Sequence, residues 1–185
     1  MPITPEEASR TLDEINRTGD YSRELNAYSE ASPHFLLWGL VWAFGYTVTD
    51  FAPDMRNLAW GIGVATGAVG SIFIASSRKH GQAGAGAGFR WRYAAISGGL
   101  AAFFGVMSSV LHLEPRQVDA FVPLIFSGIY LFAGLYAGLR FSLCGVVLAA
   151  AVLVGYFNAG PHFSLWMAAA GGGVLVLTGL WLRRV

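Results

Sequence analysis

The chain has 185 residues, of which 55% are hydrophobic and 12% charged, and its formal net charge is +1. Ordinary soluble domains carry about 25% charged residues, so this composition excludes an ordinary soluble domain. The near-zero net charge favours no class of partner.

The apolar residues are concentrated after residue 34. They form six continuous segments of roughly 17 to 22 residues, the length that a helix needs to cross a bilayer. A membrane β-barrel would instead show alternating strands of about ten residues. The sequence therefore predicts an all-α integral membrane protein, a six-transmembrane-helix bundle over residues 35–185 preceded by a cytoplasmic amphipathic helical head over residues 1–34.

The head shows helical spacing in two parts. Thr4 and Pro5 suit a helix start. The segment Gly19–Asp20 predicts a break, and Ser32–Pro33 predicts the start of the first span. The apolar positions are Ala8, Leu12 and Ile15 before the break and Tyr21, Leu25 and Tyr28 after it.

Such a narrow stripe has to bury against another surface. The membrane surface, the protein's own cytoplasmic face, a second copy and a dedicated cytoplasmic protein partner are the alternatives. If a partner binds, the candidate contact residues are Leu12, Ile15, Tyr21, Leu25 and Tyr28.

The six predicted spans follow the head, with short connections that make sequential helices antiparallel neighbours. They cover residues 35–51, 57–76, 93–113, 118–139, 141–158 and 162–182.

Ten of the twelve Lys and Arg residues fall on one side of this topology. The positive-inside rule then places both termini in the cytoplasm. The preference for Arg over Lys and the abundance of Gly and Ala suggest a bacterial inner membrane. Cys144 is the single cysteine, so no intrachain disulfide forms.

Small residues recur at spacings of four within the spans, which lets helix backbones approach closely. The predicted packing positions are Gly63, Gly67, Gly105, Gly134 and Gly138. Packing within the bundle is the first interpretation. Homo-oligomer contacts, or a hinge at the triple glycine over residues 171–173, are the alternatives.

Polar residues gather in the extracytoplasmic connections. Asp50, Glu114, Asp119 and His162 are candidate ligand-binding residues, and His112 with His162 is a candidate metal or haem site. Ordinary roles compete with these: acidic residues favour the positive start of a helix, and histidines suit the head-group level.

The centres of all six spans lack ionisable residues, which argues against proton-coupled or ion-coupled transport through carboxylates. No serine shows a nucleophile-elbow motif, so no catalytic residue is predicted. The head carries seven acidic residues against three arginines, which argues against nucleic-acid binding. The sequence requires no cofactor.

Two functions from different classes remain, with a minor third in metal or haem binding. The first is a non-enzymatic sensor or regulatory partner whose head contacts a cytoplasmic protein. The second is a channel or carrier for a small neutral or weakly polar solute, motivated by tyrosines within the spans at Tyr46, Tyr130, Tyr136 and Tyr156.

Overall fold

The computed structural model describes residues 5–78, 99 and 102–184, and every regular element in that part of the chain is helical. The helices are α1 (Pro5–Phe51), α2 (Arg56–Arg78), α3 (residues 102–110), α4 (Pro115–Ala137), α5 (Leu139–Asn158), α6 (Phe163–Trp166) and α7 (Gly172–Leu182). Short 3-10 turns at Pro53–Met55 and Gly160–His162 precede α2 and α6. A π-helical turn over Met167–Gly171 joins α6 to α7.

Within the described residues, four helical segments are long and apolar enough to cross a membrane. They are Pro53–Ser77, Pro115–Ala137, Leu139–Asn158 and Gly160–Leu182. In a helix the backbone N–H and C=O groups bond to each other, so they need no partner from the hydrocarbon of the bilayer. The chain is therefore an all-helical integral membrane protein.

The head differs from its prediction, because α1 is one unbroken helix of 47 residues. It continues through Gly19–Asp20, where a break was expected, and Pro33 lies inside it rather than at the start of a new helix. A single glycine costs a helix only about 1 kcal/mol. The hydroxyls of Thr18 and Ser22 also bond to carbonyl oxygens one turn back, at 2.8 and 2.9 Å.

The second half of α1 packs antiparallel against α7 at backbone contact distance. A methyl group added at Gly39 would lie 3.0 Å from the carbonyl oxygen of Gly172, and one at Gly179 would lie 2.8 Å from Leu36 Cγ. Ser32 is buried and its hydroxyl donates to the carbonyl oxygen of Gly179 at 2.7 Å. At Gly39 and Gly179 this interface leaves no space for a larger side chain.

Helix α2 packs antiparallel along another side of α1. The indole nitrogen of Trp38 donates to the Ser71 hydroxyl at 3.2 Å. The same ring covers Gly67, where an added methyl group would lie 2.9 Å away. The start of α2 therefore lies beside the end of α1, and its end beside the middle of α1.

Helices α4 and α5 form a tight hairpin that turns at Gly138. Gly138 has φ of 112° and ψ of 151°, a conformation that is essentially restricted to glycine. The hairpin covers α1 and the α6–α7 segment, and its core contacts include Phe35 with Tyr130 at 4.9 Å and Phe35 with Phe141 at 5.9 Å between ring centroids.

These packing directions bring polar residues together at two ends of the bundle. We call the end containing Asp50, Arg56, Asp119 and His162 the Asp119 rim, and the end containing Glu24, Tyr28, Arg140 and Trp181 the Arg140 rim. The two groups are those that the predicted topology assigns to opposite sides of the membrane.

The structure describes only part of the predicted third span, residues 93–113. Residues 102–110 are helical, and the ring of Phe104 lies 5.9 Å from that of Phe126 on α4. Residues 93–98 and 100–101 of that prediction lie outside the described residues.

Candidate functional site

An ion pair between Arg56 and Asp119 forms the centre of the Asp119 rim. Arg56 is the first residue of α2, and its Nη2 atom lies 2.7 Å from Asp119 Oδ1 near the start of α4. Nη2 also donates to the carbonyl oxygen of Pro115 at 3.0 Å. The side chains are 20% and 6% exposed, so the pair is largely removed from water and each charge depends on the other.

Asp119 also contacts the other two helices that meet at this rim. The buried Tyr46 hydroxyl of α1 donates to the Asp119 carbonyl oxygen at 2.9 Å. The Ser164 hydroxyl of α6 lies 3.4 Å from Asp119 Oδ2. One residue therefore joins α1, α2, α4 and α6: its carboxylate contacts α2 and α6, and its backbone carbonyl oxygen accepts the bond from α1.

Aromatic packing holds Tyr46 in place. Its ring meets the Trp60 ring edge to face at 4.9 Å between centroids, and the Trp60 indole nitrogen donates to Thr49 Oγ1 at 3.2 Å. Tyr46 and Trp60 thus fix the end of α1 against the start of α2.

A second contact at this rim joins Asp50 to His162. Asp50 Oδ2 lies 3.4 Å from His162 Nδ1, and the two side chains are 8% and 73% exposed. A nearly buried carboxylate thus contacts a solvent-exposed imidazole. The contact connects the end of α1 to the start of α6.

The other predicted rim residues have local contacts. The backbone nitrogen of Glu114 donates to the side-chain oxygen of Gln117 at 2.9 Å, at the start of α4. His112 has φ of 49° and its Nδ1 lies 3.1 Å from the Val110 carbonyl oxygen. Among residues 5–78, 99 and 102–184, no three His, Cys, Asp or Glu side chains are grouped to hold a metal ion.

At the opposite end, Tyr28 packs the base of the head onto the bundle. It is 3% exposed, its ring lies 5.5 Å from that of Phe141, and its hydroxyl bonds to the Glu24 carboxylate. Burial, and then the Glu24 hydrogen bond, raise the pKa of Tyr28 above its ordinary value of 10. The phenol therefore remains neutral under physiological conditions.

Arg140 fixes this contact to the end of α7. Its guanidinium carbon lies 5.1 Å from the centre of the Tyr28 ring and 4.9 Å from the centre of the Trp181 ring. Its Nη1 atom donates to the Trp181 carbonyl oxygen at 3.0 Å. Cation–π contacts of this kind are worth about 0.5 to 1 kcal/mol when exposed and more when desolvated.

The remaining candidate contact residues of the head lie along α1 before Tyr28. Tyr21 is 61% exposed and Leu25 is half-buried. Leu12 and Ile15 belong to α1, but their side chains lie outside the described part of the chain. The residues of α1 before Glu24 form an arm, residues 5–23.

Four of the five glycines predicted to pack lie against neighbouring side chains. Gly63 faces Val41, Gly67 faces Trp38, Gly134 faces Ser142, and Gly138 faces Tyr28 and Glu24. Gly105 has no neighbour within 4 Å among the residues that the structure describes.

The sequence did not reveal how the rim residues pair. Arg56 and Asp119 are 63 positions apart, and hydropathy does not show which helices touch. The roles of Tyr46 and Ser164 were missed because a tyrosine or serine within a span is ordinarily packing. The available signal for Arg56 was that it is one of only two basic residues, with Arg116, on the poorly basic side.

Comparisons with protein-family models, curated proteins and solved structures found no match for this chain.

Proposed function

We propose that this chain is a non-enzymatic membrane regulator in which α1 transmits a change at the Asp119 rim to a protein that contacts its arm. The observation that carries the proposal is the unbroken helix from Pro5 to Phe51. One continuous helix contacts the polar rim at Tyr46 and Asp50 and ends in the arm. A movement of α1 at one end therefore has to move the other.

The proposal includes a crossing of the membrane by the second half of α1. Its contacts with the α6–α7 segment extend from Ser32 beside Gly179 to Asp50 beside His162. Gly160–Leu182 is a candidate span. A helix packed along the full length of a membrane-crossing segment crosses the same thickness, which supports a fifth span over residues 35–51.

A sixth span follows from the directions of α2 and α4. Helix α2 starts at the Asp119 rim with Arg56 and runs away from it, and α4 also starts at that rim. The chain between Arg78 and Pro115 has to return across the membrane to connect them. The helical residues 102–110 and the Phe104–Phe126 contact support a return through the predicted third span.

With six spans, both termini lie on the side that holds ten of the twelve basic residues. The positive-inside rule supports a cytoplasmic arm and an extracytoplasmic Asp119 rim. The Asp50–His162 and Arg56–Asp119 pairs then face the outside, where pH and solutes vary.

Helix α1 is too long for all of it to lie within the membrane. At 1.5 Å per residue α1 is about 70 Å long, against a hydrocarbon thickness of about 30 Å. Residues 24–32 are held by the Arg140 rim, so residues 5–23 are the part that reaches a cytoplasmic protein.

Deletion of residues 2–20 tests this function while leaving Glu24 and Tyr28 in place. We expect the deleted protein to insert and fold normally, and to lose the cytoplasmic protein that crosslinks to the full chain in its native membrane. If both proteins crosslink to the same set and support the same phenotype, the arm is not the output.

Reconstitution separates this function from a channel or carrier. A regulator in proteoliposomes leaves the flux of glycerol and urea at the level of empty vesicles. Flux above that level that survives deletion of residues 2–20 would favour the carrier.

A further inference from the structure

The guanidinium of Arg140 is held in one position where α1, α5 and α7 meet. It lies between the rings of Tyr28 and Trp181, 5.1 and 4.9 Å from their centres, and its Nη1 atom donates to the Trp181 carbonyl oxygen at 3.0 Å. Among the residues that the structure describes, no carboxylate lies within 4 Å of it. A guanidinium has five N–H donors, so several of those of Arg140 are available to an anion from outside the chain.

A second arginine reaches the same carbonyl group from the end of α7. The backbone nitrogen of Arg184 donates to the Trp181 carbonyl oxygen at 3.2 Å, and the Arg184 side chain is exposed. Arg140 and Arg184 therefore share one acceptor and lie side by side. Two like charges at such short range repel each other, and an anion bound between them removes that repulsion.

The two arginines lie at the ends of membrane-crossing segments. Arg140 is the second residue of the candidate span Leu139–Asn158, and Arg184 follows the end of the candidate span Gly160–Leu182 by two residues. Trp181 beside them is 42% exposed, and an exposed indole favours the interface between hydrocarbon and water. The pair is therefore at the depth of the lipid phosphates, whichever side of the membrane this rim faces.

Helices α5 and α7 lie side by side next to the two arginines. Helix α5 starts at the Arg140 rim and α7 ends there, so they run antiparallel, and the buried side chains of Cys144 and Thr178 contact each other further in. Exposed apolar side chains line the outer side of that contact. They are Leu143 and Val147 on α5 and Leu177 on α7, which are 43%, 51% and 66% exposed.

Each arginine lies on the same side of its helix as these apolar residues. Leu143 and Val147 follow Arg140 by three and seven positions, and Leu177 precedes Arg184 by seven, which are spacings of a single helix face. We call this surface, Arg140 and Arg184 with the three apolar residues, the α5–α7 groove. It is cationic at the membrane surface and apolar below it.

The chain's own connection between Arg78 and Arg92 is poorly suited to cover the α5–α7 groove. That connection holds four basic residues and no acidic residue, so its charge repels Arg140 and Arg184. An anionic lipid has the complementary charge at the arginines and a complementary hydrocarbon tail for the apolar part.

We propose that the α5–α7 groove binds an anionic phospholipid. The phosphate bonds to the guanidinium groups of Arg140 and Arg184, since planar guanidiniums bind phosphate oxygens through paired N–H donors. One acyl chain lies along Leu143 and Leu177. This site goes beyond the proposed regulatory function and needs neither the arm nor its cytoplasmic partner.

Native mass spectrometry of the purified full chain in mild detergent tests the site by counting bound lipid. The probes are dioleoyl phosphatidylglycerol and dioleoyl phosphatidylcholine, which have the same acyl chains and differ in the charge of the head group. We expect phosphatidylglycerol to bind at least about tenfold more tightly, because the choline cation opposes the two arginines.

The variant Arg184→Gln tests the contact without disturbing packing, because that side chain is exposed. It should weaken phosphatidylglycerol binding at least about fivefold. Arg183→Gln is the matched control and should bind as the unaltered chain does. It removes the same charge one position away, about 100° around α7 on the side of Gly179, which packs on α1. Arg140→Gln should weaken binding at least as much as Arg184→Gln, and Arg184→Gln carries the test if Arg140→Gln does not fold.

Equal binding of the two lipids, or equal effects of Arg184→Gln and Arg183→Gln, would overturn the proposal. Displacement of phosphatidylglycerol by an equal concentration of inorganic phosphate would also overturn it, because the site would then bind phosphate without using the groove. A dimer mass that Arg184→Gln abolishes would assign the arginines to an acidic segment of a second copy instead. Deletion of residues 2–20 should leave lipid binding unchanged, so this proposal and the regulatory function fail independently.

Discussion

At the scale of single residues, the Arg56–Asp119 pair carries the largest predicted energetic effect. The substitution Arg56→Gln removes the cation that pairs with the Asp119 carboxylate, a side chain that is 6% exposed. Breaking a buried pair from one side costs about 3 to 5 kcal/mol. We expect this loss in the free energy of unfolding, measured by denaturant titration in micelles.

The matched control is Arg183→Gln at an exposed position after α7. A surface substitution there should change the free energy of unfolding by no more than about 0.5 kcal/mol. The double variant Arg56→Gln with Asp119→Asn should regain part of the lost stability, because no unpaired charge remains. If Arg56→Gln behaves like Arg183→Gln, the pair is not a structural link.

Gly138 sets the position of the Arg140 rim. Alanine there would adopt a conformation that costs about 1 to 3 kcal/mol, and its methyl group would collide with Tyr28 and Glu24. We expect Gly138→Ala to lower the unfolding free energy and to expose Tyr28, which tyrosine fluorescence in a variant with fewer tyrosines would report. Gly128→Ala on α4 is the control, since an added methyl group there would have no neighbour within 4 Å among the described residues, and it should be neutral or stabilising by up to about 1 kcal/mol.

At the scale of helices, the α1–α7 contact determines how α1 is held against the bundle. A methyl group at Gly39 would lie 2.7 Å from Val176 Cγ2 and 2.9 Å from the Val176 backbone nitrogen. Overpacking of this kind costs about 1 to 3 kcal/mol. We expect Gly39→Ala to destabilise the protein by that amount. Gly173→Ala should not, because its methyl group would have no neighbour within 4 Å in the part of the chain that the structure describes. Equal effects would mean that α1 and α7 are not closely packed.

Helix boundaries were more predictable than helix contacts. Predicted spans 57–76, 118–139 and 141–158 agree with α2, α4 and α5 to within three residues at each end, because hydropathy and prolines mark the ends of membrane helices. Gly39 and Gly179 were not singled out, because a glycine in a span looks the same whether it meets a helix or lipid. The predicted break at Gly19 was wrong, because the low helix propensity of one glycine is a small effect when the helix continues on both sides of it.

At the scale of the whole molecule, the proposed six-span topology assigns each connection to one side of the membrane. In a Cys144→Ala background, we expect Glu114→Cys to react with a membrane-impermeant maleimide added outside intact cells. Gly84→Cys and Arg184→Cys should react only after permeabilisation. Labelling of Gly84→Cys and Glu114→Cys from the same side would show that residues 93–113 do not cross the membrane.

The central claim is that α1 couples the Asp119 rim to the base of the arm, and hydrogen exchange of the reconstituted full chain tests it most directly. Arg56→Gln removes the cation of Asp119, and Asp119→Asn removes the carboxylate that Arg56 and Ser164 contact, beside the backbone carbonyl that Tyr46 binds. If α1 transmits that change, amides around residues 24–32 at the Arg140 rim lose protection, while Arg183→Gln leaves them unchanged. Faster exchange confined to the Asp119 rim, with residues 24–32 as protected as in the unaltered chain, would contradict the claim.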